Sequence, residues 1–439
     1  MDRWSIAVAG VVVGVALFAG PALAEDPVEA LPDIAAAPEY TVTPPRDFAD
    51  VKLASAGLVG SQSVAVNPKN ASVFVAAYAN QGACWVRTST NAGRTWAGAK
   101  KLPMPGGTAS EDCIGPALTW APDGTRVYAA YLRAATRTTL QQKAVVSVST
   151  DKGATWSTPK KVQSFSGFDH FVGLATPLQS ENSEWLYFVS FQYPTIYFSR
   201  SNDQGKTWAA LQQLVTCGGR DEYVSYPSIA GGPGGEILVS WGSNYCGSTS
   251  KQQIEVRRSS NFGDSFSPAV VAVPGNGGRT AIAFGTGGAA HLVYSRDDSG
   301  SDGPNYVFST KAPYSSWSSP VLLSDNSSVR GISAPVLSVS RCSSSASILH
   351  VAWLDERLGS GKYNLYYTRK VARTGEEWSA DLRVSATAVA SYASYGYYYL
   401  EPGIAASGAT AVALWGQGAE LDGPRPVRVS RIAPGVRCP

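Results

Sequence analysis

The sequence predicts an all-β protein: a seven-bladed β-propeller of four-stranded antiparallel blades, closed by an N-terminal strand, with six blades as the alternative. Three observations indicate this fold. A short turn motif recurs along the chain, an apolar strand precedes each copy, and no stretch keeps helical periodicity for three turns. Frequent Gly and aromatic residues are also typical of sheets with tight turns.

The recurring motif has Ser, then Asp or Asn two residues later, Gly two after that, Thr or Ser two later, and Trp or Phe directly afterwards. Full copies begin at Ser89, Ser149, Ser201 and Ser259, and weaker copies begin at Ser309 and Thr368. We expect the Asp or Asn to bind backbone amides two residues on, and the Gly to supply a positive φ. The aromatic ring is expected to start the next strand and to bury apolar surface.

Seven apolar strands set the expected number of blades, namely residues 73–78, 127–132, 186–191, 237–241, 290–294, 349–354 and 411–415. Six are followed by the motif and by an outer strand that begins at or near Trp96, Trp156, Trp208, Phe266, Trp317 and Trp378. The seventh is followed only by residues 427–432, so its sheet needs an outer strand. Residues 48–54 resemble residues 156–162, and we expect them to join the last blade and so remove an open sheet edge.

The motif resembles the Asp-box, or bacterial neuraminidase (BNR), repeat of the sialidase-like superfamily, and the resemblance covers the chain from about residue 48. It implies a propeller whose Asp boxes are structural, on a scaffold that hosts many activities. Sialidases hold the substrate carboxylate with three arginines, and use a Tyr–Glu pair as nucleophile and an Asp as acid/base. Their Arg-Ile-Pro motif is absent here, since Arg46 is followed by Asp47, so no arginine is assigned by position.

Residues 1–24 are predicted to be a signal peptide. Arg3 precedes the apolar run of residues 6–20, and residues 22–24 form a small-residue cleavage site. A membrane anchor is the alternative, but the run is shorter than the roughly 20 apolar residues that a span needs. We therefore expect a secreted protein, extracellular or periplasmic, without a membrane span after cleavage.

The mature chain is predicted to hold a Pro/Ala-rich leader, residues 25–46, and one propeller domain, residues 47–439. The formal net charge of +3 is too small to argue for nucleic acid or an anionic membrane as partner. We expect a monomer that binds a glycan or an extracellular protein.

The six cysteines of a secreted chain predict three disulfides, for which sequence alone allows fifteen pairings. In a propeller the connections between blades, and those from second to third strand, lie on one face, here called the top face. Cys84 and Cys113 both fall there, as do Cys217 and Cys246, whereas Cys342 and Cys438 both fall on the bottom face. The layout favours the pairs Cys84–Cys113, Cys217–Cys246 and Cys342–Cys438.

Propeller ligands usually bind at the top face, so polar residues of its loops are the candidates for function. Glu222, Glu401 and Asp112 are the candidates for proton transfer, and Arg133, Arg279, Arg330, Arg357, Tyr226 and Tyr398 are the candidates for ligand binding. Guanidinium forks bind carboxylates in a bidentate way, and Tyr rings stack on sugar faces. For Arg357 the alternative is a brace, in which Asp355 and Arg357 of the sequence WLDER hold the loop.

Other chemistries have less support in the sequence. His291 and His350 lie within apolar strands, where packing is the expected role, and no His/Cys cluster has zinc spacing. Asp297, Asp298 and Asp302 are expected to form a solvated loop rather than a calcium site. No metal and no cofactor are predicted.

Two functions follow from these observations. The first is a secreted propeller that binds glycan or protein through its top face without clear catalysis, which the missing sialidase signatures and the seventh blade favour. The alternative is a sialidase-like exo-glycoside hydrolase acting on acidic glycans, which the expected secretion and the family resemblance favour. Whether the protein is an enzyme stays undecided at this point.

Overall fold

The computed structural model describes residues 51–54, 62–104, 112–134, 141–166, 170–218, 222–224, 227–244, 246, 252–275, 278–295, 304–309, 311–325, 335–342, 346–358, 363–372, 377–385, 402–408, 410–416 and 426–432. Within these ranges the regular structure is β-strand, apart from three 3-10 turns at Ser180–Asn182, Pro233–Gly235 and Thr286–Gly288. Among the same residues no helix is long and apolar enough to cross a membrane.

Seven antiparallel sheets, here called blades 1 to 7, follow one another along the chain in a ring. The strands of blades 1 to 3 are β2 (Gln62–Asn67), β3 (Asn70–Asn80), β4 (Ala83–Ser89), β5 (Lys100–Lys101); β6 (Asp112–Trp120), β7 (Val127–Ala134), β8 (Gln141–Ser149), β9 (Lys160–Ser166); and β10 (His170–Ala175), β11 (Leu186–Gln192), β12 (Thr195–Ser201), β13 (Gln212–Thr216). Within each blade, consecutive strands pair with each other.

Blades 4 to 7 repeat this order. Their strands are β14 (Tyr223–Val224), β15 (Ser228–Gly231), β16 (Ile237–Asn244), β17 (Gln252–Ser259), β18 (Val270–Pro274); β19 (Thr280–Phe284), β20 (Ala290–Tyr294), β21 (Asn305–Ser309), β22 (Val321–Leu322); β23 (Val336–Arg341), β24 (Ser347–Asp355), β25 (Asn364–Val371), β26 (Leu382–Arg383); and β27 (Gly403–Ser407), β28 (Thr410–Gly416), β29 (Val427–Ile432). In blade 4, β14 and β15 both pair with β16, so the first strand of that blade is divided in two. All seven predicted apolar strands are present as the second strands of the blades.

The fourth strand of blade 7 comes from the other end of the chain. β1 (Val51–Ala54) pairs antiparallel with β29, with Val51 opposite Val429 and Lys52 opposite Arg428. Residues 48–50, which the sequence also assigned to this strand, lie outside the described residues. Leu53 is buried in a cluster with Phe74 of blade 1 and residues of blade 7.

The fourth strands begin later than the sequence predicted. In each of blades 1 to 6 the residue after the motif's aromatic residue donates one hydrogen bond to the third strand, as Ser157 N does to Val148 O at 2.8 Å. Continuous pairing starts only three residues further on, at Lys160 in blade 2. The aromatic residue therefore ends the turn and packs between blades rather than opening the strand, as the contact of Trp156 with the core of blades 1 and 2 shows.

The Asp-box turn is held by side chains that reach four residues along the chain, not two as expected. Asp151 Oδ1 accepts from the backbone N of Thr155 at 2.8 Å, and Ser149 Oγ accepts from the backbone N of Gly153 at 2.8 Å. The reason is that two successive residues adopt positive φ, Lys152 at 64° and Gly153 at 88°, which fold the chain back over the carboxylate. The copies at Ser89, Ser201 and Ser259 repeat these bonds.

The Asp-box turns also join neighbouring blades. Thr88 Oγ1 of blade 1 donates to Lys152 O of blade 2 at 2.8 Å, and a Cβ on Gly153 would lie only 3.0 Å from the same hydroxyl. A Cβ on Gly263 of blade 4 would clash with Phe198 of blade 3 at 2.4 Å. The motif's Gly is therefore required both for the turn and for close contact with the preceding blade.

The disulfides agree with the predicted layout. Cys84–Cys113 and Cys217–Cys246 are formed, with Cα atoms 5.4 and 5.0 Å apart. Cys342 is also disulfide-bonded. Its predicted partner, Cys438, lies outside the described residues.

Candidate functional site

The candidate site consists of top-face residues just before first strands and at or just after the ends of second strands. The described candidates are Glu222, Arg133, Arg279 and Arg357, which belong to blades 4, 2, 5 and 6. Strand direction alternates within each blade, so these positions share one face of the ring. Strand order alone assigns the four residues to this face, and it does not show that their side chains are in contact.

Glu222 lies just before β14, in the loop that enters blade 4, and is half-buried. Its Oε2 accepts a hydrogen bond from the backbone N of Gly218 at 3.0 Å. Gly218 follows Cys217, whose disulfide with Cys246 ties this loop to the end of the second strand of the same blade. The disulfide therefore fixes the residue next to Gly218, whose backbone N–H binds the Glu222 carboxylate.

Arg133 and Arg279 lie at equivalent ends of different blades. Arg133 is the penultimate residue of β7, opposite Cys113 on one side and Lys143 on the other, and is half-buried. Arg279 immediately precedes β19, and its carbonyl accepts from the backbone N of Ser295 at 3.0 Å. Both are held by backbone pairing at the rim of the top face, where a guanidinium can bind a carboxylate or sugar hydroxyls.

Arg357 is engaged with protein groups. Its Nε donates to both carboxylate oxygens of Asp355 at 3.0 Å, and its Nη1 donates to Asp381 Oδ2 at 2.7 Å. Nη2 donates to Asp355 Oδ2 at 2.6 Å and to Ser324 Oγ at 3.1 Å, and the guanidinium stacks 3.7 Å from the ring centroid of Tyr366. The geometry favours the bracing role for Arg357 over ligand binding.

This brace extends between blades 5 and 6. Asp325, after β22, and Asp381, before β26, each donate a backbone N–H to the other's carboxylate, at 3.0 and 2.7 Å. Burial raises the pKa of Asp381 to about 6, although the charge of Arg357 opposes the shift. Burial would lower the pKa of Arg357, but the hydrogen bond and charge of Asp355, followed by Asp381, raise it above the ordinary value. Sequence reasoning found the Asp355–Arg357 pair and missed Asp381 and Asp325, because they come from other strands.

The remaining candidates lie outside the described residues in whole or in part. Asp112 begins β6, opposite Ala134, but its side chain is not described. Glu401, Arg330, Tyr226 and Tyr398 lie outside the described residues, so their roles stay predictions.

The histidines of blades 5 and 6 are packed, as the sequence indicated. His291 Nδ1 lies 2.8 Å from the Tyr306 hydroxyl, and His350 Nδ1 lies 2.7 Å from the Tyr367 hydroxyl. Both imidazoles are buried, which lowers the pKa of His291 to about 4 and that of His350 to about 3. In the part of the chain that the structure describes, no group of three His, Cys, Asp or Glu side chains is placed to hold a metal ion.

Known families and solved structures share the repeat and the fold of this chain, as the following matches show. Residues 49–239 match the BNR repeat-like domain. No curated protein matches the chain significantly. Similar solved structures include an α-L-arabinanase of Penicillium chrysogenum complexed with arabinobiose, with TM-score 0.47 and 14% identity over 70% of this chain and 94% of the other.

Two further structures show the same level of similarity. An α-L-arabinofuranosidase of Fusarium graminearum matches with TM-score 0.49 and 13% identity, over 74% of this chain and 98% of the other. The intramolecular trans-sialidase of Ruminococcus gnavus matches with TM-score 0.47 and 12% identity, over 88% of this chain and 97% of the other. Identities this low carry no information about ligands. The seven four-stranded sheets and the Asp-box turns make the chain a β-propeller, of which residues 49–239 match the BNR repeat-like domain.

Proposed function

We propose that this protein is an exported propeller that binds a glycan through its top face. The proposal is supported by Glu222, Arg133 and Arg279, which lie at or next to strand ends on the top side of blades 4, 2 and 5. It is also supported by the Cys217–Cys246 disulfide, which fixes the residue next to Gly218, the residue that binds the Glu222 carboxylate. Carboxylate and guanidinium groups next to strand ends and a disulfide can bind sugar hydroxyls and carboxylates without a change in backbone conformation. Export is supported by the disulfides, which persist in oxidising compartments.

A glycan array probed with the full mature chain tests the binding function. We expect Arg133→Ala and Arg279→Ala to weaken the strongest binding about tenfold or more, because a charged hydrogen bond contributes roughly 1.5–3 kcal/mol. Arg94→Ala is the matched control, since Arg94 is an exposed arginine of an Asp-box turn on the opposite face. If all three variants bound the glycan with the same affinity and kept wild-type thermal stability, the top-face proposal would be wrong.

The second candidate is a glycoside hydrolase of the sialidase-like type. It is supported by the Glu222 carboxylate, a group suited to proton transfer, on the same face as two arginines. A fluorogenic sialoside tests it directly. We expect turnover by the wild type and a loss of about 100-fold or more in Glu222→Gln, since general acid–base groups contribute that much. Unchanged turnover in Glu222→Gln would exclude Glu222 as the proton-transfer group. Absence of turnover by the wild type would exclude the sialidase function and leave glycan binding as the remaining candidate.

A further inference from the structure

The outer rim of the propeller shows a repeating pattern. In or directly after each fourth strand, a residue that packs inward follows two more exposed residues. The inward residues are Leu53, Leu102, Val162, Leu214, Ala272, Leu323 and Val384. All but Val162, which is partly buried, are among the buried core residues. The second residue of each pair is exposed in all seven blades, so its chemistry can differ from blade to blade, whereas Val51, Val270 and Leu382 at the first position pack partly against the core.

Three consecutive blades carry lysine at these outward positions. The residues are Lys52 in blade 7, Lys100 and Lys101 in blade 1, and Lys160 and Lys161 in blade 2, here called the lysine arc, and all five are exposed. Blades 7 and 1 share one buried cluster and blades 1 and 2 share another, so the arc is continuous around the rim.

The strands that carry and adjoin the lysine arc have no acidic residue. The third and fourth strands of blades 7, 1 and 2 (β29, β1, β4, β5, β8 and β9) contain no Asp or Glu, and they add Arg87, Lys143, Arg428 and Arg431 to the five lysines. Among the ion pairs of the described residues, none includes a lysine of the arc. The five lysines of the arc are exposed and lie outside these ion pairs, so they can contact an external partner.

Protection of sheet edges is the competing explanation, because lysines on edge strands prevent pairing with other chains. The same positions in other blades argue against it. Blade 4 has Val270 and Val271, and blade 5 has Val321 and Leu322, with Val271, Val321 and Leu322 between 40% and 44% exposed. If the outer edges needed lysine, these apolar strands would need it most. The lysines are confined to one arc, which favours a localised partner.

We propose that the lysine arc is a docking surface for a linear acidic polysaccharide, separate from the top-face site. Lysine is a flexible, hydrated point charge, suited to a polyanion held by charge density rather than by fixed geometry. A flexible chain can follow three blades around a curved rim, whereas a flat bilayer meets such a rim at one place. Among the described residues, the exposed large apolar side chains that would enter a membrane lie instead on blades 3 to 6.

The test uses the full mature chain with polygalacturonate as the polyanion and its fully methyl-esterified form as the neutral control. We expect salt-sensitive binding to the first and none to the second. Changing Lys100, Lys101, Lys160 and Lys161 together to Gln should weaken binding about tenfold or more and reduce its salt dependence, because fewer counterions are released. Gln is suitable because blade 3 has Gln212 and Gln213 at the equivalent positions.

A matched variant removes four charges elsewhere. Arg94, Lys69, Lys206 and Lys311 are exposed residues of bottom-face turns, and changing all four to Gln should leave binding within about twofold of wild type. Equal losses in the two variants would show a net-charge effect and overturn the proposal. So would absence of wild-type binding, or stronger arc-dependent binding to vesicles of phosphatidylglycerol. The variant with all four lysines changed to Gln should keep wild-type affinity for the glycan found on the array, so failure here is separable from failure of the proposed top-face site.

Discussion

Two buried histidines occupy equivalent positions in neighbouring blades. His291 and His350 each contact the tyrosine two residues before their partner on the third strand, and His350 Nε2 also lies 3.1 Å from Ser340 Oγ. Burial, then the charge of Lys370 for His291 and of Arg369 for His350, lowers both pKa values. Neutral imidazole is thus the form that fits the folded chain.

The acid stability of the protein should reflect these histidines. Their folded pKa values, about 4 and about 3, are below the ordinary 6.5, so the unfolded chain binds protons first as pH falls. Their contribution is fully present above pH 6.5 and is lost from there down to pH 4 and 3. Asp381 acts in the opposite sense, since its raised pKa of about 6 makes the folded chain hold a proton between pH 6 and 3.8.

We therefore expect the free energy of unfolding to fall as pH decreases from 6.5 to 4, by up to about 1.4 kcal/mol per pH unit for each unbalanced proton. Urea unfolding at several pH values measures this slope. His350→Gln should be less stable at pH 7 but should show a shallower slope, whereas Asp381→Asn should show a steeper one. If the three proteins gave parallel pH profiles, these groups would not be the ones that titrate.

At the scale of strands, the sequence predicts best what is buried on both faces. The second strands were located because their uninterrupted apolar runs, such as Leu186–Gln192, lie between two neighbouring blades and end at turn residues. The sequence placed the short fourth strands too early. Only two residues pair in Lys100–Lys101 or Leu382–Arg383, and a strand of two residues is too short to show an alternating pattern. The aromatic residue that marks the turn is conspicuous, but its partners are in the adjacent blade.

The candidate site shows the same limit. Strand alternation alone places Arg133, Glu222 and Arg279 on one face, since direction follows from strand order. It could not give what each side chain contacts. The sequence made Arg357 a ligand-binding candidate, but its Nη1 donates to Asp381, which precedes a different strand. Non-local pairing of this kind leaves no local pattern in the sequence.

At the scale of the whole molecule, blade 7 is built from both ends of the described chain. β1 adds to β29, and the Tyr78 hydroxyl of blade 1 lies 3.5 Å from Leu53 O, so β1 contacts both flanking blades. Leu53 is 1% exposed among Phe74, Val412 and Val429, whereas the neighbouring Lys52 side chain is exposed. Because β1 pairs with blade 7 while its Leu53 packs against blade 1, this strand should stabilise the contact between the two blades.

Leu53→Ala is expected to lower the free energy of unfolding by about 2–5 kcal/mol, through lost burial and the cavity left between blades 7 and 1. Lys52→Ala on the outer side of the same strand is the control and should change it by less than about 0.5 kcal/mol. Chemical denaturation monitored by tryptophan fluorescence compares the two, and a single transition in both would indicate that the blades unfold together. A Leu53→Ala protein as stable as the control would mean that β1 does not hold the last blade against the first, and ring closure would then rest on the inner strands alone.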